Sequence, residues 1–367
     1  MNKNTIINVI EIDSKDARYQ TGIERYMNIL RDNMPKNVFT FRIIFYRTAD
    51  CRNVTMEISD TELSIIHPRE FTAQSLYPAI ITMLRERLSK MTNLIVKSNC
   101  LGFEGLAYAI RNNVFCRTVG VLHCVPNIMP ANGLQNPLFG MDHIISVCES
   151  ALPWLKAIGN TRPVSVIYNG INRPTISKNI LNNDDSFRFI FANGMAPHKG
   201  FARIIPAIRR VAAIHKIRVF VLGGMDDDGK KLLAENNDLP IEYVGLIADD
   251  KEIGKYYHMA DCALFASASE ACSFAGIEAM AYNLPIISTN APGLCEMFGP
   301  KGALYAQMDA NKNINSDEYA AQMIRIIVEP KLRRQLSIKG YARYLQQYTA
   351  RQMARDTLAL YNKLISQ

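Results

Sequence analysis

The segment ADCALFASASEACSFAGIEAMAYNLPIISTN, residues 260–290, determines how the second half of the chain folds. It opens with a short apolar run that ends at Ser267, which is typical of a buried strand. A polar loop follows, and Ser273 stands as a good N-cap in front of a run of small and apolar residues. A second β-branched run follows Pro285. The segment therefore predicts a strand, a loop, a helix and another strand, in that order.

The same alternation of apolar runs and helical patterns extends outward over the chain. Strands are predicted at residues 6–12, 41–46, 94–96, 119–122, 144–147, 164–168, 187–192, 219–222, 241–244, 262–265 and 285–289. Helices are predicted among them at residues 22–34, 79–91, 103–112, 200–215 and 274–282. Strands that alternate with helices indicate parallel sheets covered by helices on both faces. The predicted fold class is therefore α/β, with doubly wound sheets.

A change in composition divides the chain into two such units. Asn169 and Gly170 form a turn dipeptide after the first series of strands, and residues 172–185 are polar and rich in asparagine. A new strand pattern, FRFIFANG, then begins at Phe187. We expect two Rossmann-like domains that face each other across a cleft, because such folds bind ligands at the carboxyl ends of their strands.

The charge balance favours an acidic partner. The chain has 42 lysine and arginine residues against 34 acidic ones, a formal net charge of +8. Nucleic acid, an anionic membrane or a phosphorylated small molecule would each satisfy that excess, although no basic–aromatic motif supports nucleic acid. Most of the excess lies in residues 325–367, which hold nine basic and two acidic residues. A solvated face on terminal helices is the favoured interpretation, and a contact with anionic lipid is the alternative.

Composition and spacing exclude several other classes of protein. No apolar run approaches the roughly 20 residues that span a bilayer. The first residues, MNKNTIINVIEID, are interrupted by Asn8 and by acidic residues, so we expect no signal peptide. The eight cysteines are scattered, without a CxxC pair or zinc spacing. They predict free thiols in a reducing cytoplasm, and we expect no metal site.

Two carboxylates and a helix end mark the chemistry of residues 260–290. The first turn of the predicted helix offers unpaired backbone N–H groups, a natural seat for a phosphate or a sugar hydroxyl. Glu270 lies on the preceding loop and Glu278 lies inside the helix. One carboxylate can face a sugar while the other reaches the hydroxyls of a nucleotide ribose. Taken singly, each is better explained as a solvent contact, Glu270 on the loop and Glu278 on the helix surface.

The two carboxylates do not stand alone, since the run from Glu270 through Glu278-Ala279-Met280-Ala281 to Pro285 resembles the double-glutamate signature of glycosyltransferase family 4. These are the retaining GT-B enzymes, also called glycosyl transferases group 1. Other segments resemble the family in the same order over nearly the whole chain, and the ordered set is far more specific than any one segment. They are TGIERY (21–26), VGVLHC (119–124), VIYNGIN (166–172), NGMAPHKG (193–200), LGGMDDDG (222–229), YYHMADCALFAS (256–267), APGLCEM (291–297) and the terminal helical segment 341–364.

The resemblance implies a GT-B architecture with defined domain roles. It implies an acceptor-side Rossmann-like domain at residues 1–171 and a nucleotide-sugar-binding Rossmann-like domain at residues 172–345. Residues 346–367 would form a terminal helix that crosses back to pack on the first domain.

The resemblance also implies roles for single residues. The catalytic set would be His123, Glu270 and Lys199: His123 lies against the donor sugar, Glu270 holds that sugar, and Lys199 neutralises the departing diphosphate. The glycines let loops approach the phosphates closely, the start of the second-domain helix supplies backbone N–H groups, and Glu278 binds the ribose hydroxyls. The donor-binding set implied in this way is Gly22, Gly194, Lys199, Ser273, Phe274 and Glu278.

Two departures from the family pattern affect this site. Met195 stands directly after Gly194, where the family usually has arginine, so one of two expected diphosphate cations is missing. This change should weaken donor binding unless His198 or Arg203 substitutes. Residues 271–273 read Ala-Cys-Ser where the family usually has Gly-Phe-Gly, which lowers the freedom of the backbone.

Other residues invite chemical interpretations that we do not favour. Asp226-Asp227-Asp228 resembles a metal-binding motif, but helix N-capping explains it better. Cys272 lacks an activating motif and is more simply a small buried apolar residue. Residues 67–69, His-Pro-Arg, form a candidate acceptor-side loop. Helix 79–91 resembles a membrane-contacting helix of lipid-acceptor enzymes, but an ordinary amphipathic helix is favoured.

The leading hypothesis is a retaining, metal-independent transferase that moves a sugar from a nucleotide-diphosphate donor to a hydroxyl acceptor. UDP-sugars are the favoured donors, and no further cofactor is expected. The acceptor would be a saccharide, a lipid-linked molecule or a peptide, in the assembly of bacterial cell-surface glycans. We expect a cytoplasmic protein, with a peripheral contact at the inner face of an anionic membrane left open. The alternative is a non-catalytic subunit of the same fold that binds a glycan or a partner transferase.

Overall fold

The computed structural model describes residues 5–16, 22–48, 51–68, 71–99, 103–124, 137–174 and 185–367. The chain forms two compact units, residues 1–170 with 350–367 and residues 171–349. Thr21, Arg69 and most of the polar segment 172–185, on which predictions were made above, lie outside the described residues.

The first unit is built on a sheet with the strand order β3-β4-β2-β1-β5-β6-β7-β8. Its neighbouring strands pair in parallel except for β3 and β4, which pair antiparallel at one edge. The strands are β1 (Ile7–Asp16), β2 (Val38–Thr48), β3 (Thr55–Ile58), β4 (Glu62–Pro68), β5 (Leu94–Ser98), β6 (Arg117–Leu122), β7 (His143–Ser146) and β8 (Val164–Val166).

Amphipathic helices cover this sheet. They are α1 (Gly22–Asn33), α2 (Tyr77–Lys90), α3 (Glu104–Arg111) and α4 (Leu152–Ala157). Helix α2 buries Ile80, Ile81, Leu84 and Leu88 in the core under the strands, so its apolar stripe is a core face, as favoured above.

Strands β3 and β4 were not predicted. In β4 the side chains of Leu63, Ile65 and His67 are buried, while the residues between them are partly exposed. That alternation is typical of a strand with one face in the core and the other partly exposed, and it lacks the continuous apolar run that marked the central strands. The hypothesis of a loop at residues 67–69 is wrong for His67 and Pro68, which end β4.

The second unit is built on a wholly parallel sheet with the order β11-β10-β9-β12-β13-β14. The strands are β9 (Phe187–Phe191), β10 (Ile217–Leu222), β11 (Ile241–Gly245), β12 (Cys262–Phe265), β13 (Ile286–Thr289) and β14 (Leu304–Ala306). All but the three-residue β14 lie where the sequence predicts strands. Because the strands are parallel, their carboxyl ends meet at one edge of the sheet.

Helices cover both faces of the second sheet and enclose its apolar core. They are α5 (Phe201–Ala212), α6 (Asp227–Glu235), α7 (Asp250–Met259), α8 (Phe274–Ala281), α9 (Pro292–Phe298), α10 (Ser316–Val328) and α11 (Pro330–Gln347). The last helix, α12 (Ala350–Ile365), belongs to the first unit, where it packs on α1 and β5. None of the helices in the described ranges combines the length and the hydropathy that a bilayer-spanning segment needs.

Part of the basic tail is used inside the fold. Arg333 donates to the carbonyls of Ile326 and Ile327 at the end of α10, at 2.8 and 2.9 Å. Arg343 donates to the last carbonyls of α9, those of Glu296 and Met297, each at 2.6 Å. A guanidinium at a helix C-terminus satisfies carbonyls that have no partner in the helix and opposes the negative end of its dipole. These arginines therefore have a structural role.

Candidate active site

The site lies at the carboxyl edge of the second sheet, between β9 and β12. From β9 the chain continues to β10 and β11 on one side, and it returns with β12, β13 and β14 on the other. The strand order reverses at this pair, and the loops that follow β9 and β12 flank the crevice formed there. Open α/β sheets bind their ligands at such a switch point. The topology alone therefore marks residues 192–200 and 266–273 as the candidate ligand-binding loops.

An ion pair joins these two loops. Lys199 Nζ lies 2.8 Å from Glu270 Oε2, and the two side chains are 22% and 13% exposed. Ser267, at the end of β12, donates its hydroxyl to the same carboxylate oxygen at 3.2 Å. The pair is partly accessible, so its charges can reach a ligand, and it brings together two residues 71 positions apart in the sequence.

Backbone contacts hold the loops in register. Gly200 adopts a φ of +79°, and a Cβ there would lie 2.1 Å from the carbonyl oxygen of Ala266. Only glycine fits a left-handed conformation this close to a neighbouring backbone. Arg203 donates to that carbonyl at 3.4 Å, and the Ala268 amide donates to the His198 carbonyl at 3.4 Å. Lys199 is therefore fixed next to the end of β12.

Gly194 anchors the start of the first loop. It has a φ of +69°, its amide donates to the Leu222 carbonyl at 2.8 Å, and a Cβ there would lie 3.0 Å from the Gly224 carbonyl. The next side chain, Met195, is buried in the apolar core of the second unit. Position 195, where the resembled family usually has a diphosphate-binding arginine, is therefore occupied by a core residue in this chain.

The two suggested substitutes for the missing cation differ in charge. Arg203 is a cation and donates one N–H to the Ala266 carbonyl at 3.4 Å. The pKa of His198 is lowered by burial and then by the charge of Lys199, which keeps the imidazole neutral at neutral pH. Lys199 is the cation that the structure brings to this crevice on the loop after β9.

Helix α8 begins beside this pair. Ser273 has an extended backbone and its hydroxyl accepts the N–H of Gly276 at 3.3 Å, which confirms the predicted N-cap. The same hydroxyl contacts Asn193 Oδ1 at 3.3 Å, so the start of α8 is tied to the loop after β9. Phe274 is the first residue of α8. The positive end of the helix dipole therefore lies where the two loops meet.

Glu278 lies inside α8 and is only 6% exposed. The interpretation as a helix-surface residue is therefore wrong. Its Oε2 accepts the hydroxyl of Tyr257 on α7 at 2.8 Å. A buried carboxylate is costly without hydrogen bonds, so this contact helps to make its burial tolerable.

The remaining predicted site residues belong to the first unit. His123 follows β6, and its ring contacts the Tyr26 ring edge-on with centroids 4.7 Å apart. Burial and the charge of Lys97 lower the pKa of His123 to about 3, so the imidazole stays neutral at neutral pH. Gly22 is the first residue of α1 and is exposed.

A second lysine–glutamate pair lies close to His123. Lys97 on β5 and Glu11 on β1 are directly opposite in the sheet and form an ion pair with 0% and 4% exposure. Lys97 Nζ lies 4.9 Å from the centroid of the Tyr26 ring. Burial alone would lower the pKa of Lys97, but Glu11, with Tyr26 and Tyr361, outweighs it and raises that pKa. This pair is sealed within the first unit.

The motifs that were set aside have structural explanations. Asp226 caps α6 by accepting the Gly229 amide at 2.8 Å, as predicted. Cys272 is buried, and none of the cysteines in the described ranges forms a disulfide. Across the same ranges, no group of three or more histidine, cysteine or acidic residues is arranged to hold a metal ion.

Sequence reasoning missed three polar contributors to the site, Tyr257, Ser267 and Asn193. Each lies inside a segment that was quoted for its resemblance, yet none was given a role. Their contacts join residues that are distant in sequence, apart from the short step from Ser267 to Glu270. Only that step could have been suggested by spacing.

The second unit matches a known family. Residues 172–343 match the family model described as glycosyl transferases group 1. The MMP alpha-(1->4)-mannosyltransferase of Mycolicibacterium hassiacum is 27% identical over 177 residues, which cover 48% of this chain and 42% of that protein. The match therefore spans less than half the length of that relative.

Solved structures resemble the chain over nearly its whole length. Sucrose-phosphate synthase from Thermosynechococcus elongatus has a TM-score of 0.72 at 17% identity, over 98% of this chain and 99% of that one. Alr3699/HepE of Anabaena, in complex with UDP, has a TM-score of 0.74 at 12% identity, over 98% and 100%. At such identities the likeness concerns the fold alone, and it confirms the predicted α/β GT-B class.

Proposed function

We propose that this chain, which has the GT-B fold and whose residues 172–343 match the family model of glycosyl transferases group 1, is a retaining glycosyltransferase. It would move a sugar from a nucleoside-diphosphate donor to a hydroxyl acceptor. The observation that carries the proposal is the Lys199–Glu270 pair at the switch point of the second sheet, beside the start of α8.

The charges at this crevice suit the departure of a diphosphate. In the reaction, the bond between the anomeric carbon and the β-phosphate oxygen breaks. The acceptor oxygen bonds to the same face of that carbon, and the acceptor's proton leaves with the nucleoside diphosphate. Lys199 and the N-terminus of α8 stabilise the negative charge that develops on the leaving group. These two groups supply positive charge, so we propose that the reaction needs no metal.

The other residues orient the donor. Glu270 accepts hydrogen bonds from the sugar hydroxyls, and the backbone N–H groups of Ser273 and Phe274 donate hydrogen bonds to them. Glu278 binds the ribose. His123 and Gly22 of the first unit would contact the donor sugar and the phosphates; these two assignments rest on the resemblance and on His123 being neutral. Gly194 lets the loop after β9 approach the phosphates.

UDP-sugars are the donors that we propose, because HepE was solved with UDP and with UDP-glucose. The acceptor would be a saccharide, a lipid-linked molecule or a peptide, in bacterial cell-surface glycan assembly. We place this reaction in the cytoplasm.

The exposed basic residues of α11 and α12 leave a contact with an anionic membrane as a further proposal, which flotation with anionic and neutral liposomes would test.

A transfer and hydrolysis screen with UDP-, GDP- and ADP-sugars tests the proposed activity. We expect release of the nucleoside diphosphate from at least one donor, at a rate that EDTA does not change. Lys199→Met should lower that rate by about 100- to 1,000-fold, as removal of a transition-state charge contact does. Lys255→Met is the matched control, because Lys255 pairs with Glu252 on the surface of α7. Failure of every donor to react, or loss of the reaction in EDTA, would contradict the proposal.

A non-catalytic subunit that binds a glycan or a partner transferase is the second candidate. One observation favours it: Met195 occupies the core where the family usually has a diphosphate-binding arginine. Such a subunit would show no thermal stabilisation by any nucleoside diphosphate or nucleotide sugar. Stabilisation by a donor together with turnover would exclude it.

A further inference from the structure

Tyr257 is a buried residue whose hydroxyl meets the proposed ribose-binding carboxylate. It is 1% exposed and lies on α7, the helix that precedes β12. Its hydroxyl is 2.8 Å from Glu278 Oε2 and 3.3 Å from the Ala275 carbonyl. A phenol has one proton to donate, and an ionised carboxylate at the shorter distance is the stronger acceptor. The proton of Tyr257 is therefore directed at Glu278.

The ring of Tyr257 is itself held in place. It stacks on the ring of Tyr282, with an interplanar angle of 4° and centroids 5.0 Å apart. The His258 ring contacts the Tyr282 ring edge-on, with centroids also 5.0 Å apart. A Cβ at Gly254 on α7 would lie 2.5 Å from the Tyr282 hydroxyl, so glycine at this position leaves room for the end of the Tyr282 side chain. Stacking fixes the phenol plane, and the hydroxyl cannot swing away from Glu278 without breaking this packing.

A glutamate without such a contact has several rotamers, and its terminal torsion is broad. One fixed hydrogen bond on Oε2 restricts how the carboxylate plane can turn. A ribose presents two neighbouring hydroxyls, and a single carboxylate accepts both only when its plane faces them. Pre-organisation of this kind improves binding by reducing the entropy that is lost when the ligand binds.

We propose that Tyr257 is a positioning residue that orients Glu278 toward the two ribose hydroxyls and so sets a preference for ribonucleotides. The inference rests on the proposed function and on Glu278 binding ribose. It makes α7 part of the specificity of the site, although Tyr257 itself does not touch the ligand.

Calorimetric titration of the full-length protein with UDP and with 2′,3′-dideoxy-UDP tests this role. The dideoxy compound lacks both hydroxyls and keeps the base and the diphosphate. We expect the unsubstituted protein to bind UDP about 10- to 100-fold more tightly than the dideoxy compound, the value of hydrogen bonds to a charged group. Tyr257→Phe should weaken UDP binding by about 5- to 10-fold and leave dideoxy-UDP binding within about twofold.

Two further variants complete the experiment. Tyr256→Phe is the matched control, because Tyr256 lies next along α7 and packs on the Phe220 ring; it should change neither affinity. Tyr282→Leu keeps the Tyr257 hydroxyl but removes the stacking partner. It should reduce the preference for UDP in the same direction and by less, and it tests the role of Tyr257 should Tyr257→Phe fail to fold.

Each result has a distinct meaning. Equal weakening of both ligands by Tyr257→Phe would reduce Tyr257 to a packing residue and overturn the inference, as would an unchanged preference. If the unsubstituted protein binds both compounds equally, the ribose assignment of Glu278 and the inference fail, but the diphosphate site survives. If it binds neither these nor the guanine and adenine equivalents, the proposed function fails with them.

Discussion

Two of the lysine–glutamate pairs in the described residues join neighbouring parallel strands or the loops that follow them, and they differ in depth and in position along the strands. Lys97 and Glu11 face each other within neighbouring strands of the first unit, at 0% and 4% exposure. Lys199 and Glu270 lie on loops beyond the carboxyl ends of neighbouring strands in the second unit, at 22% and 13% exposure. The residue types are the same, so the difference in chemistry comes from the place in the fold.

That difference separates a structural pair from a ligand-binding pair. The first pair has its charges compensated inside the protein, with Tyr26 against the lysine, and no charge left for a ligand. The second is held by one hydroxyl and by backbone register, and its charges remain accessible to a diphosphate or a sugar. Burial within strands therefore predicts a stability phenotype, and exposure at a switch point predicts an activity phenotype.

The largest expected effect is on stability, from breaking the buried pair. Lys97→Met leaves the Glu11 carboxylate buried without its cation, which costs about 3–5 kcal/mol. For a unit of this size the melting temperature should fall by about 6–20 °C, measured by differential scanning calorimetry. Lys199→Met is the comparison, since loss of a partly exposed pair costs about 0–1 kcal/mol. Similar melting temperatures for the two variants would contradict the distinction between a structural pair and a ligand-binding pair.

The second effect is on activity, from breaking the accessible pair. Glu270→Gln keeps the size of the side chain but removes the charge that holds Lys199 and, in our proposal, the donor sugar. Steady-state transfer should slow by about 100- to 1,000-fold while the melting temperature changes by no more than a few degrees. Glu252→Gln, on the exposed Lys255 pair of α7, is the control and should be neutral. Full activity of Glu270→Gln would refute the site assignment.

The third effect comes from replacing both members of each pair. Glu11→Leu with Lys97→Met removes both buried charges and should recover most of the about 3–5 kcal/mol that Lys97→Met alone loses. Glu270→Leu with Lys199→Met should recover no transfer activity, because the ligand loses both partners. Unfolding in urea measures the stability of the first double variant, and the transfer assay measures the activity of the second. A double replacement in the first unit that is no more stable than the single one would show that Lys97 does more than compensate Glu11.

The smallest effect concerns the histidine near the buried pair. His123 has a pKa of about 3 in the folded chain, below the ordinary value of about 6.5 in the unfolded chain. Between these values the unfolded state binds more protons, so this stabilisation is complete above pH 6.5 and is lost as the pH falls toward 3. At pH 5 the loss is about 2 kcal/mol. Stability measured from pH 7.5 to 5 should therefore fall less in His123→Gln than in the parent, and parallel curves would contradict this.

Much of the fold could be predicted because its central strands are buried on both faces. Runs such as residues 189–191 and Cys262–Phe265 are continuous and apolar, and continuous runs between helices mark parallel strands. The strand Glu62–Pro68, second from the edge of its sheet, escaped prediction because its burial alternates, and Leu304–Ala306 because it is too short to show a pattern.

The segments that meet at the candidate site were predictable from the sequence, and the contacts between them were not. The double-glutamate segment and the N-cap at Ser273 could be read from spacing and from the family resemblance. The burial of Glu278 could not, because it depends on Tyr257, which lies 21 positions earlier on another helix. The burial of Met195 likewise depends on packing against the core of the second sheet. Tertiary contacts of this kind leave no local signal in a sequence.

A thermal-shift comparison of Lys97→Met and Lys199→Met, with and without UDP, separates the structural pair from the ligand-binding pair. Lys97→Met should melt well below the parent yet gain the full stabilisation by UDP, because the nucleotide site of the second unit is intact. Lys199→Met should melt near the parent and gain little stabilisation from UDP. Loss of the UDP effect in Lys97→Met, or its retention in Lys199→Met, would show that the two pairs do not divide stability and ligand binding between them.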